Sequence, residues 1–397
     1  MAIDCLHRLG RVNEVDAFRE AVVALHANNW RLLQAAAKTL LHGEHQGFMI
    51  AGKFERGGHR GGGAMVYAGE RDRVRALQLS TQALPLVRDE THKSEAAAFY
   101  FDLAEQLLGE RGYSQAWKLQ VLTDLETLPD YEQGWYFGAG DRGAPVDAAG
   151  HPVFYQVPAD WRQAQSDGER WRWALAQAVE ADAGQLNRAR WVLAEFAQNQ
   201  FGEQTMAYYG WFFGRLFEQD DTRHDTSGTY ELHTLGEDET IARLATGIQR
   251  FALPDDYNYI SLLQKIIAEP QTGYAEPAID RLAQVFENRR QYPRAAEWRR
   301  QAIARYGAGS DGFRQKQLDQ IVRSWGRFEP VLTQPAGQGA SLDFRFRNAR
   351  RVTFEAYAIK VEALLSDVKS YLKSRPRQLD WEKTNLAEIG YTLVTKN

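Results

Sequence analysis

The sequence predicts a mainly α-helical protein: an irregular solenoid of paired helices over residues 1–326, a linker at 327–341, and a shorter α+β unit at 342–397. Three observations predict this. Up to about residue 325, apolar residues recur at i, i+3, i+4 and i+7 in runs of about 12–18 residues, the pattern of helices that bury one stripe. Beyond Pro330 the period falls to two, the pattern of strands with one buried face. Between the two regimes, residues 330–339 are rich in Gly, Pro and Gln and carry no period. A length of 397 residues fits two or three structural units at roughly 150 residues each.

From the N-terminus, Gly10-Arg11-Val12 with Val15 gives a first, weak echo of a paired-helix spacing, and a loop is expected at 52–63. In 103–128 the order Leu103, Ala104, Leu107, then Tyr113 and Ala116, closes near Pro129. In 282–306, Leu282, Ala283 and Phe286 precede Tyr292, Ala295 and Ala302 and close at Tyr306-Gly307, with the same separation from Leu to Tyr. This large/small spacing resembles tetratricopeptide-type helix hairpins, where a small residue lets the second helix pack closely on the first, so a degenerate tetratricopeptide-like solenoid is expected. A second interruption, 134–160, contains Val146-Asp147-Ala148-Ala149-Gly150-His151-Pro152-Val153-Phe154-Tyr155, two short apolar runs around an Asp/Gly turn, which reads as an inserted hairpin. Ser166-Asp167-Gly168-Glu169 is a capping-box sequence; the helix it opens places Trp171, Leu175, Ala178 and Val179 on one face and should be amphipathic. Residues 186–201 around Ala189 and Leu193 echo the repeat again, and 220–236 reads as a third loop.

Past the linker, Leu342-Asp343-Phe344-Arg345-Phe346-Arg347 alternates apolar and charged residues, and Val352-Thr353-Phe354-Glu355-Ala356-Tyr357 follows, with Asn348-Ala349-Arg350-Arg351 as the turn. A helix with Val361, Leu364, Leu365, Val368 and Leu372 on one side comes next, then a strand at Gly390-Tyr391-Thr392-Leu393-Val394. Two strands, a helix and one strand leave sheet edges open and faces uncovered, so this unit is expected to be incomplete.

Composition narrows the function classes. Acidic residues outnumber basic ones, 52 to 48, for a formal charge of −4. Such a chain offers no basic field for counterion release, and no nucleic-acid partner is expected. Hydrophobic residues at 44% and charged ones at 25% describe an ordinary globular chain. No run approaches the ~18 apolar residues of a membrane-spanning helix, and no export signal is read at the N-terminus. The single cysteine, Cys5, excludes an internal disulfide and a Cys-based zinc cage, and a small buried thiol is its expected state.

The motifs that suggest chemistry fail their context tests. Gly47-Phe48-Met49-Ile50-Ala51-Gly52-Lys53 matches a phosphate loop up to the lysine, but Phe54 stands where a magnesium-binding Ser or Thr is needed. Gly138-Ala139-Gly140-Asp141-Arg142-Gly143 and Gly307-Ala308-Gly309-Ser310-Asp311-Gly312 have dinucleotide spacing without the strand–turn–helix setting, and read as turns. Arg56-Gly57-Gly58-His59-Arg60-Gly61-Gly62-Gly63 reads as a flexible loop. His42 and His45, and the group Asp220, Asp221, His224 and Asp225, lack the H-E-x-x-H pattern of a zinc helix, and no G-x-S-x-G elbow is present. Neither a metal nor a cofactor is expected.

Trp325-Gly326-Arg327-Phe328-Glu329-Pro330, followed after the linker by Phe344 to Arg351 and Val352-Thr353-Phe354-Glu355-Ala356-Tyr357, is similar to the entry into the first macroglobulin-type β-sandwich of bacterial, planctomycete-like alpha-2-macroglobulin proteins. Asp380-Trp381 and Ile389-Gly390-Tyr391 resemble the same subgroup. Glu70-Arg71-Asp72-Arg73-Val74-Arg75-Ala76-Leu77 and Asp238-Glu239-Thr240-Ile241-Ala242-Arg243-Leu244 look like the helical region ahead of the sandwiches. The resemblance implies a periplasmic or extracellular protease-trapping protein in which this chain is an N-terminal fragment and its partners include later domains of the same protein. Cys5 is followed by Leu6-His7-Arg8, so the family's Cys-Gly-Glu-Gln thioester is not in this chain.

The expected function is therefore a non-enzymatic scaffold for a protein or peptide, with Trp135, Tyr136, Tyr208, Tyr209 and Trp211 as candidate partner-binding residues, because exposed aromatics bury area by stacking. The alternatives are a hydrolase or carbohydrate-acting protein using loops 134–160 and 220–236, and a stand-alone tetratricopeptide adaptor.

Overall fold

The computed structural model describes residues 2–112, 115–133, 143–203, 231–269, 273–329, 334, 337, 339, 341–355 and 360–374, and the chain divides into two compact units, Met1–Ile321 and Val322–Asn397. The first unit is mainly helical. It opens with α1 (Ala2–Arg8), α2 (Val15–Leu25) and α3 (Trp30–Leu41). Asn29 sets the start of α3: its backbone is extended and its side chain accepts from the Leu32 N–H at 3.2 Å, the geometry of an N-cap. Leu33, Ala36, Ala37 and Leu40 then line one face of α3 and are buried, the i, i+3, i+4, i+7 stripe that hydrophobic burial selects. That face packs on α4 (Gly69–Arg88), and α5 (Lys93–Leu108) packs on α6 (Asp167–Ala181). Further along, α7 (Leu186–Phe201) packs on α8 (Tyr259–Ile267), α8 on α9 (Ala275–Asn288), and α9 on α10 (Tyr292–Tyr306); α11 (Phe313–Val322) ends the series.

The α9–α10 hairpin is the pair expected at 282–306. Leu282, Ala283, Phe286, Ala295 and Ala302 are all fully or almost fully buried, and the small alanines of α10 meet the large side chains of α9. The expected partner repeat at 103–128 is not a helix pair. Gly109 turns the chain out of α5 with φ 42°, short 3-10 turns follow at Gly109–Gly112 and Ala116–Gln120, and α5 takes α6 as its neighbour. The capping box forms in part: Ser166 Oγ accepts from the Glu169 N–H at 3.2 Å, while Glu169 reaches past the N-cap to accept from the Gln165 N–H at 2.7 Å. Trp171, Leu175 and Ala178 are buried as expected, but so are Arg170, Arg172 and Trp173, so the first half of α6 is enclosed on every side.

Strands appear where helix or loop was expected. β1 (Gln46–Ile50), β2 (Lys53–Arg56), β3 (Ala64–Tyr67) and β4 (Glu132–Gln133) form an antiparallel sheet of order β2-β1-β3-β4. Ile50 pairs with Lys53, leaving Ala51 (φ 48°) and Gly52 (φ 78°) as a two-residue turn with both φ angles positive, the type I′ geometry that matches strand twist. The phosphate-loop lookalike is therefore a hairpin. Residues 239–244, expected to be helical by resemblance, form β5 (Glu239–Leu244) paired with β6 (Gly247–Ala252). The expected hairpin at 146–155 is a turn closed by a single Val146–Pro152 bridge, with Asp147 Oδ1 accepting from the N–H groups of Ala149 and His151. Phe154 and Tyr155 after it are core residues; Phe154 packs on Phe201 and Tyr257 at ring distances of 5.3 and 5.0 Å.

Arginine–carboxylate pairs stitch these elements. Arg289, with no exposed surface, donates from Nε to Glu203 at 2.5 Å, from Nη1 to the Gly236 carbonyl at 2.8 Å, and from Nη2 to the Glu239 carbonyl at 2.9 Å and Tyr259 Oη at 2.8 Å. Arg314 and Arg299 hold Asp280 of α9 in the same manner.

In the second unit β7 (Trp325–Phe328) and β8 (Phe344–Arg347) form an antiparallel hairpin, Trp325 opposite Arg347. Trp325 to Phe328 therefore belongs to this unit, which begins earlier than the expected linker. Among the described residues 352–355 form no strand, although Phe354 packs edge-on against Phe344 at 5.1 Å. The expected helix is α12 (Val361–Lys373), and Val361, Leu365 and Leu372 on it are exposed. The strand expected at 390–394 lies outside the described residues. Among the described residues no helix is long and apolar enough to cross a membrane.

Candidate functional site

Trp135, Tyr136, Tyr208, Tyr209 and Trp211 lie outside the described residues, as do Asp220, Asp221, His224 and Asp225. Cys5, expected to be buried, is exposed on α1, whose seven residues bury none of their side chains. Among the described residues no group of three His, Cys, Asp or Glu side chains is placed to hold a metal ion. His45 is committed elsewhere: Nδ1 lies 2.7 Å from Asp72 Oδ2, and Nε2 lies 3.3 Å from the Leu41 carbonyl. Arg56, expected in a flexible loop, is a buried anchor at the end of β2. It donates to Asp72 at 2.7 and 2.8 Å, to Asp16 at 3.0 Å and to the Glu44 carbonyl at 2.5 Å.

Around Arg56 the structure opens a cleft of about 680 Å³ between α2, α4, β2 and the segment 126–131. Its wall is aromatic. The ring of Phe54 stacks on Tyr131 with centroids 4.5 Å apart and planes 22° apart, although β2 and β4 are opposite edges of the sheet. Gly47 makes this possible. A Cβ at that position would lie 2.5 Å from Cε2 of Phe54, so the absent side chain leaves the space across β1 that the ring occupies. Arg71 lies over the other ring, 4.8 Å from the Tyr131 centroid, and donates to the Pro129 carbonyl at 2.8 Å. The Arg56 guanidinium lies 5.3 Å from the Phe54 centroid, and each guanidinium is attracted to its ring face, a contact that strengthens as water is excluded.

Six charged groups of the cleft, Asp16, Arg19, Glu20, Arg56, Asp72 and Arg75, are tied up in pairs. Arg75 holds Glu20 through two bonds at 3.0 and 2.6 Å, and Asp16 takes Arg19 at 2.7 Å as well as Arg56. Burial alone would push the Asp72 carboxyl up; the hydrogen bonds from His45 and Arg56, with the guanidinium charge, outweigh it and hold the group below the usual carboxylate range. Asp72 therefore stays ionised.

No family model, curated protein or solved structure matches this chain. The functional reading rests on the geometry.

A second cluster lies at the start of α6. Asp167, wholly buried, accepts from the Thr123 N–H at 3.0 Å, Thr123 Oγ1 at 2.5 Å, Arg73 Nη2 at 2.7 Å, Arg111 Nη1 at 3.0 Å and Arg170 Nη1 at 3.5 Å. Arg111 also holds Glu70 at 2.7 Å, which joins α4 and α6 through the turn after α5. In the sequence Asp167 stands out only as part of a helix-start capping box, and Arg73 only within a stretch that resembles the family's helical region. The ion pair spans 94 positions, a separation that leaves no local pattern.

Proposed function

We propose that the chain is a non-catalytic interaction scaffold that seats an extended segment of a partner protein in the cleft beside Phe54 and Tyr131. The observation that carries this reading is the stacked ring pair, capped by Arg71 and opening on a cleft with charged groups of both signs at its rim. Such a wall takes an apolar or aromatic side chain against the rings while the rim guides charged neighbours, the division of labour found at peptide-binding surfaces. A non-catalytic role is supported by Asp16, Glu20 and Asp72, each held by an arginine and thereby removed from general acid–base work. The wider setting, the N-terminal part of a periplasmic or extracellular alpha-2-macroglobulin-like protein, rests on the residues of the second unit that carry the resemblance.

The test is a peptide-display selection against the full chain, followed by binding measurements on Tyr131→Ala, with circular dichroism to establish that the variant is folded. Enriched peptides should lose about tenfold or more in affinity for Tyr131→Ala, the loss of a stacked aromatic anchor. Selected peptides that bind the variant as tightly as the parent, or a selection that enriches nothing, would overturn the reading.

A further inference from the structure

A different cavity, of about 250 Å³, lies at the first turn of α4, lined by His45, Glu70, Arg73, Arg111, Lys118 and Glu132. Its charge is unbalanced. Among the described residues the guanidinium groups of Arg73, Arg111 and Arg170 surround two carboxylates, Asp167 and Glu70, and the three arginine side chains are 11%, 8% and 10% exposed. Lys118 adds a further cation with no ion pair among the described residues; its ammonium lies 5.9 Å from the Trp117 ring. Glu132, on the short edge strand β4, is exposed and screened by water. Taking charge out of water without a counterion is unfavourable by several kcal/mol, and buried groups of that kind are almost always paired.

Four further features point the same way. The Nε–H of Arg73 is buried and donates to no acceptor among the described residues, and buried donors without partners are rare. Arg73 lines both this cavity and a neighbouring one of about 210 Å³ that shares Gly69 and His45 and is lined also by Asp102 and Glu105. Burial, and next the charge of Arg111 against it, hold Arg73 below the usual arginine range, as expected for a cation lacking its full complement of negative charge. At the head of α4 the N-cap position is Ala68, whose side chain cannot accept from the N–H groups of the first turn.

We propose that this cavity binds a small dianionic oxyanion of the phosphate class, held by Arg73, Arg111 and Lys118. A cavity of about 250 Å³ is just below the range of about 300 Å³ upward that holds larger organic ligands, so the ligand is the phosphoryl group itself, free or on a small ester. Arginine supplies planar, forked donors to such a group and lysine a point charge. The inference is independent of what the cleft beside Tyr131 binds.

The test is equilibrium dialysis and titration calorimetry of the full chain with inorganic phosphate and, separately, with methyl phosphate, against sodium chloride at equal ionic strength. One saturable site is expected, and binding should raise the melting midpoint by about 5 °C when phosphate exceeds its Kd 100-fold. Tighter binding of inorganic phosphate assigns the site to the free anion, and equal or tighter binding of methyl phosphate assigns it to an ester. Lys118→Gln, which breaks no ion pair in the described structure, should weaken binding about tenfold while leaving the midpoint in chloride unchanged, and Lys118→Arg should restore it. The proposal is overturned if neither phosphate binds above the chloride control, or if Lys118→Gln binds as tightly as the parent.

Discussion

Replacing Asp167 by Asn removes one charge and almost no volume, so the outcome reports on electrostatics. The two carboxylate oxygens accept five hydrogen bonds from Thr123, Arg73, Arg111 and Arg170 with no solvent exposure. An asparagine has one acceptor oxygen, and its amide N–H groups would face donors. Breaking one side of a buried ion cluster costs about 3–5 kcal/mol, because the remaining charges cannot rehydrate. Glu70 still takes Arg73 and Arg111, which places the expected loss near the lower end, about 3 kcal/mol, a large share of a typical stability of about 5–15 kcal/mol. Urea unfolding followed by tryptophan fluorescence measures it, since Trp161 sits 4.9 Å from the Arg170 guanidinium and Trp171 and Trp173 lie on α6 itself. The control is Glu20→Gln, which loses an exposed pair with Arg75 and should cost no more than about 1 kcal/mol. If the two variants unfold at the same urea concentration, the account of Asp167 as the centre of a dry cluster is wrong.

Three other perturbations read different parts of the molecule. Gly47→Ala places a methyl group against the Phe54 ring and the Glu55 carbonyl, so it should destabilise the sheet by about 1–3 kcal/mol in urea unfolding and abolish peptide binding at the cleft; wild-type behaviour in both assays would refute the packing described. Ala51→Asn puts a residue tolerant of positive φ at the first position of the β1–β2 turn and should raise the melting midpoint, by up to about 1 kcal/mol of stability, whereas Ala51→Val should lower it. The depressed carboxyl of Asp72 makes a pH prediction with a definite sign. Its contribution is fully present above the unfolded-state value of about 3.9 and is lost as pH falls through the lower folded value, so stability should decline below about pH 4. Asp72→Asn should flatten that decline in an acid titration followed by circular dichroism.

The helical rhythm of the first unit was legible because helices such as α3 and α9 bury a single stripe, and a stripe leaves a period of 3.6 in the residue order. The β1–β2 hairpin was not. Its turn is Ala-Gly rather than Asn-Gly or Asp-Gly, and the run from Phe48 to Ile50 is too short to distinguish strand from helix. In β5 the residues Thr240, Ile241 and Ala242 are all buried, so the alternation that marks a strand is missing, and the spacing of Ile241 and Leu244 mimics a helix turn. In the second unit β8 was plain from its alternation, but its partner was misplaced, since Trp325-Gly326-Arg327-Phe328 directly follows a helix and carries a glycine in mid-strand. The sites were the least legible. Phe54 meets Tyr131, and Asp167 meets Arg73, across separations that only the folded chain closes.

The grip of Arg289 reaches beyond the core it fills. Glu203 stands at one border of residues 204–230, and Gly236 and Glu239 lie just past the other; a single guanidinium fastens both. Positions 203, 236 and 239, distant along the chain, are thus clasped by one side chain and would part together if it were lost.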